Sequence, residues 1–151
     1  MSVVFRNVDV APDAPVEEWP HEAIVTAIER GSLTEWVPIA RAIRRSPWGV
    51  VARQVQDYLG YARPYGVGPL LARAIDRARR DRARDERAEV AAMVGAHIAG
   101  SGLSREAFAR EIGTSASRLS TYESGKVVPS AALLLRMARV AGADRVSGWH
   151  A

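Results

Sequence analysis

Between Ser115 and Thr121 the chain reads Ser-Ala-Ser-Arg-Leu-Ser-Thr, a run of small, mostly polar side chains with one cation at Arg118. On a helix, Leu119 and Tyr122 turn to one side, while Ser115, Ala116, Ser117, Arg118 and Thr121 occupy the other. So narrow a face fits the B-DNA major groove, about 12 Å wide, and its short polar groups suit contacts to base edges. Rival chemistry is scarce. His21, His97 and His150 are far apart and lack metal-ligand spacing. His97 lies on a largely apolar helix face, where a core or boundary role is the ordinary one. There is no recognisable Ser/His/Asp set, phosphate-binding glycine loop or pair of carboxylates. No enzymatic activity, cofactor or metal is therefore expected.

The flanking residues explain how such a face is held. Ser104 caps a short helix in which Phe108 and Ile112 bury one side, and Gly113 ends it. A helix so short cannot stand alone and must pack at once on neighbours. Thr114-Ser115 caps the next helix, and Glu123-Ser124-Gly125-Lys126 closes it. Pro129-Ser130 starts a last helix through Leu133, Leu134, Met137, Ala138 and Ala141, ending at Gly142. Ala109 is small enough for two helices to cross steeply, and Gly113 supplies a left-handed turn. Phe108, Ile112 and Leu119 wedge the pair at a fixed angle. The pattern predicts a helix-turn-helix within a bundle of about five helices.

These residues resemble the Xre family, the phage Cro and repressor type of helix-turn-helix. The resemblance covers roughly residues 90–143. It rests on Gly102-Leu103-Ser104, Phe108-Ala109, Ile112-Gly113, Ser115, Leu119-Ser120, Tyr122 to Lys126, Pro129-Ser130, Leu133-Leu134 and Ala141-Gly142. It implies base reading by the start and outward face of the recognition helix: Ser115, Ala116, Ser117, Arg118 and Thr121. Ala116 and the Thr121 methyl are placed for thymine methyls, Ser117 for a base or phosphate, and Arg118 for phosphate or guanine. It implies phosphate contacts at Ser104, Arg105 and Lys126. Members often pair the glutamate found here at Glu123 with an arginine on their first helix. Here that position is Ile98, so Glu123 is expected to take another partner or stay solvated.

The rest of the chain also reads as helix. Ala23, Ile24, Ala27 and Ile28 form a stripe stopped by Gly31. Ser32 or Thr34 caps a second helix reaching about Arg45. Ser46-Pro47 reads as a cap followed by proline in the first turn of a third helix, with Val50, Val51, Gln54, Val55, Tyr58 and Leu59 as its stripe. Arg63 to Pro69 is a turn cluster. Residues 70–100 read as one long helix or two end to end, with a solvated charged stretch in which Arg77–Asp81 and Arg82–Glu86 can pair. Val3, Val4 and Phe5 form either a short strand or part of a floppy terminus.

The expected architecture is all-α. A flexible arm (1–15) precedes a small helical domain for dimerisation or partner binding (16–75). A charged connecting helix (76–89), a helix-turn-helix domain (90–143) and a tail (144–151) follow. Residues 1–75 carry eight basic and eight acidic groups, 76–90 six and five, and 91–151 seven and four, so the basic excess sits at the C-terminal end. Beside this motif that excess favours a polyanionic partner. There are no cysteines, which excludes disulfides and Cys-ligated metal. No run approaches the ~20 apolar residues of a spanning helix, and Met1 to Val10 lacks a secretion-signal pattern. A cytoplasmic location without membrane association is expected.

Two roles for residues 16–75 stay open. One is homodimerisation, which lets two recognition helices read half-sites one helical turn apart on double-stranded DNA, as in a repressor. The other is protein contact in an antitoxin, since the block from Trp48 to Gly66 resembles N-terminal regions of actinobacterial antitoxins, whose partner is a cognate toxin. A third alternative is an interaction module whose helix-turn-helix has lost DNA affinity, because Ala116 and Thr121 are not Gln, Asn or Arg. Trp19, Trp36, Trp48, Tyr58, Tyr61 and Tyr65 either anchor an interface or fill a core.

Overall fold

The computed structural model describes Val10, Ala11 and residues 13–142. The strand at Val3, Val4 and Phe5, most of the 1–15 arm, the 144–151 tail and His150 lie outside the described residues. Among the described residues the secondary structure is entirely helical, as the periodicity predicts: one 3-10 turn, Val16–Glu18, and seven α-helices. These are α1 His21–Arg30, α2 Leu33–Arg45, α3 Val50–Tyr61, α4 Val67–Ser101, α5 Arg105–Ile112, α6 Ala116–Glu123 and α7 Ala131–Val140. Residues up to Arg82 form one compact unit and those from Ala83 a second, so α4 contributes to both.

The N-terminal unit buries the predicted stripes. Ala23, Ile24, Ala27 and Ile28 of α1 meet Ile39, Ala42 and Ile43 of α2 and Val51, Ala52, Val55 and Tyr58 of α3. Leu71, Ile75 and Ala78 of α4 close that core. Ser32 caps α2: its hydroxyl accepts from the Thr34 N–H, and Glu35 accepts from the Ser32 N–H at 2.7 Å. The restart at Ser46-Pro47 differs from expectation, because α3 begins at Val50. The Gly49 N–H donates to the Ser46 carbonyl at 2.9 Å, so Ser46 to Gly49 form a turn with proline second and glycine last. Proline's fixed φ serves such a turn as well as a first helical position.

The aromatics divide between the two expected roles. Trp19 and Tyr58 are buried and Trp36 is half-buried, whereas Trp48, Tyr61 and Tyr65 are exposed. The indole N–H of Trp19 donates to Ala14 at 2.9 Å and that of Trp36 to Ala27 at 2.8 Å. Burial, with a 2.7 Å hydrogen bond to Glu29, pushes the Tyr58 phenol up to about 12.

The arginine run of α4 is less uniformly solvated than expected. Arg77 pairs with Asp81 at 3.8 Å, as its spacing predicts. Arg82 donates to the Arg45 carbonyl at 3.0 Å, at the end of α2, where the i to i+4 reading had pointed to Glu86. Arg79 donates to the Pro47 carbonyl at 3.1 Å and to Gln56 at 3.0 Å, and lies over the Trp48 ring. The Arg45 carbonyl, at the end of α2, lacks an intrahelical donor and Arg82 supplies one, while Arg79 ties the turn after α2 to α3.

The C-terminal unit has its own core: Val94 and Ile98 of α4, Phe108, Ala109 and Ile112 of α5, Leu119 and Tyr122 of α6, and Met137 of α7. Its described residues hold four helices, the second half of α4 and α5 to α7, where about five were expected. Three serine caps set the helix starts: Ser104 accepts from Ala107, Ser115 from Arg118 and Ser130 from Leu133, each at 3.2 Å. Ser130→Ala is expected to lower the stability of this unit by about 1 kcal/mol, measured by urea denaturation followed by circular dichroism. An unchanged midpoint would remove the cap from the list of what holds α7.

Candidate nucleic-acid interface

The interface is built on the turn between α5 and α6. Gly113 sits in the left-handed region at φ 79°, ψ 36°, a conformation costly for residues with a Cβ. The Thr114 N–H returns to the Ala109 carbonyl at 2.9 Å. The chain then re-enters a helix at Ala116, directly after the Ser115 cap. Arg136 of α7 braces the turn by donating to the Ile112 carbonyl at 3.0 Å. Sequence reasoning missed this arginine, because nothing in its local spacing ties it to a carbonyl 24 residues earlier.

On α6, Leu119 is fully buried and Tyr122 nearly so. Ser115, Ser117 and Arg118 are exposed, and Ala116 and Thr121 are half-buried. All five predicted base readers thus belong to one short helix and its cap. The Thr121 hydroxyl donates to the Arg118 carbonyl at 2.7 Å. Its proton is thereby engaged within the helix, which favours the methyl as its contact group. A capping serine accepts through a lone pair and keeps its own O–H to donate. Ser104 and Ser115 can therefore cap and still donate to a nucleic acid. Lys126 is exposed in the loop after α6. There Gly125 sits at φ 75°, where a Cβ would come within van der Waals range of Ala91 and the Arg87 stem of α4.

Of the two outcomes expected for Glu123, another partner or solvation, the structure shows a partner. Arg105 donates through Nε to Oε2 at 3.0 Å and through Nη2 to Oε1 at 2.8 Å. Ile98, at the family's usual arginine position, is in the core. The cation that meets Glu123 stands at the start of α5. The hydrogen bonds from Arg105 hold the Glu123 carboxyl below its ordinary value of 4.5, against a smaller opposing effect of burial. What this pair contributes to stability is full above the ordinary carboxylate range and is lost as pH falls through the depressed value. The pair is therefore intact at neutral pH.

The remaining candidates are quiet. His21 hydrogen-bonds the Tyr61 hydroxyl at 3.0 Å, and His97 is half-buried at a boundary. No cluster of His, Asp or Glu suited to a metal ion occurs among the described residues. No helix among them is long and apolar enough to cross a membrane.

The model of a family described as a helix-turn-helix domain matches residues 70–147. No curated protein and no solved structure matches the chain.

Proposed function

The chain belongs to a helix-turn-helix domain family of the Xre/Cro type, and from that premise we propose that it is a sequence-specific regulator that binds double-stranded DNA. The observation that carries this reading is the outward side of α6. Ser117 and Arg118 are exposed there, Ala116 and Thr121 are half-open, and Leu119 and Tyr122 are clamped inward. Ser115, Ala116, Ser117, Arg118 and Thr121 read bases from the major groove. Ser104, Arg105 and Lys126 take phosphates on either side. The protein acts in the cytoplasm without catalysis, as a repressor that dimerises on a palindromic operator. Dimerisation is part of the proposal because one recognition helix spans only a few base pairs.

A second reading gives the N-terminal unit a protein partner such as a toxin. What favours it is the exposure of Trp48, Tyr61 and Tyr65 in that unit, since exposed aromatics are the side chains that anchor interfaces. Both readings share DNA binding by α6.

The test is selection from random duplexes, followed by titration of the winner over a range of salt. Enrichment of a two-fold symmetric site with half-sites about 10 base pairs apart supports the repressor reading. Lys126→Ala is expected to weaken binding to all sequences alike and to reduce the salt slope by about 1. Failure to enrich any sequence, with no binding at low salt, would rule the function out.

A further inference from the structure

Glu123 stands out on this surface. A carboxylate at the end of a helix that meets DNA faces a polyanion and should repel it. Its geometry offers a different role. Arg105 engages it side-on, through Nε and one proton of Nη2, so both carboxylate oxygens are occupied. A guanidinium has five N–H donors. Three therefore remain, and two of them, one on Nη1 and one on Nη2, point out together along the free end edge. The Arg105 side chain is 61% exposed against 29% for Glu123, so the cation is the outer member of the pair. Both line an open cleft of about 460 Å³, with Ser104, Gly102 and Ile98 among its other walls.

We propose that Glu123 is a positioning residue: it fixes the Arg105 guanidinium so that its free edge receives one phosphodiester of the DNA. The inference rests on the DNA-binding reading above and adds a role for an acid that family position alone leaves without its usual partner. An unrestrained arginine must lose rotamer freedom when it binds a phosphate, and Glu123 imposes that order in advance. The planar fork makes this feasible, because one edge can bind the carboxylate while the other binds a phosphate. Lysine has no second edge to offer.

The experiment measures binding of the selected duplex across salt for the full chain, Glu123→Gln, Arg105→Gln and the double variant, with thermal melts for each. Glu123→Gln is expected to weaken binding by about two- to twelve-fold, although it removes a negative charge. In the Arg105→Gln background the same change is expected to tighten binding, because only repulsion is left to remove. This reversal of sign is something a purely structural ion pair does not produce. Tighter binding by Glu123→Gln in both backgrounds overturns the proposal. Should Glu123→Gln melt too low to assay, Arg105→Lys takes its place. That variant keeps the charge and is expected to bind as weakly as predicted for Glu123→Gln; wild-type binding by it overturns the proposal. Absence of binding by the unmodified chain is a separate result that overturns the DNA reading itself.

Discussion

Phe108→Ala is expected to abolish DNA binding by unfolding the C-terminal unit. Phe108 is fully buried and is the largest such side chain among the described residues. It packs among Ala109, Ile112, Leu119, Tyr122 and Met137, the residues that set the angle between α5 and α6. Truncating a buried phenylalanine typically costs about 3–5 kcal/mol, as lost transfer energy and as a cavity. Whole domains are stable by only about 5–15 kcal/mol, and small ones sit toward the lower end. Urea denaturation read by circular dichroism, with a gel shift at the same temperature, checks both halves of the claim. A loss under about 1 kcal/mol with binding intact would mean that the core around α5 collapses onto the space without moving α6.

The second large effect concerns selectivity. Arg118 is exposed on the outward face of α6, and its guanidinium makes no hydrogen bond or ion pair among the described residues. An arginine bidentate to guanine is worth about 1–3 kcal/mol against the wrong base. Arg118→Ala is expected to lose that much on the selected site, roughly 5- to 150-fold, and little on unrelated DNA. Sequence preference should relax at one position of each half-site. Lys126→Ala provides the contrast, since a phosphate contact weakens all sequences alike. If titrations on matched and mismatched duplexes show the two variants behaving identically, Arg118 meets the backbone and the base-reading set shrinks to the small side chains.

What the sequence made legible was local. Ser104, Gly113, Ser115 and Ser130 mark helix ends through bonds to atoms a few residues away, so their roles follow from spacing alone. The stripes of α1 to α3 were legible for the same reason: a period of 3.6 residues needs no knowledge of the partner. Ser46-Pro47 was misread because the same dipeptide serves a turn or a first helical position, and the choice falls to Gly49 downstream. Other features depend on atoms brought together from afar. Arg105 and Glu123 are 18 residues apart, and Arg79 and Pro47 are 32. No periodicity announces such a pair. Composition alone likewise did not divide Trp19 and Tyr58 from Trp48, Tyr61 and Tyr65, because burial of an aromatic depends on what packs over it.

Lys126 is the sole lysine among the chain's 21 basic residues, and it is exposed in the loop that follows α6. Apart from an amino terminus, the molecule therefore has one primary amine. An acyl group placed on that nitrogen erases its charge at the very edge of the surface assigned to the operator. An amine-reactive dye or an acetyl donor thus addresses a single side chain, the one proposed to meet a phosphate after α6.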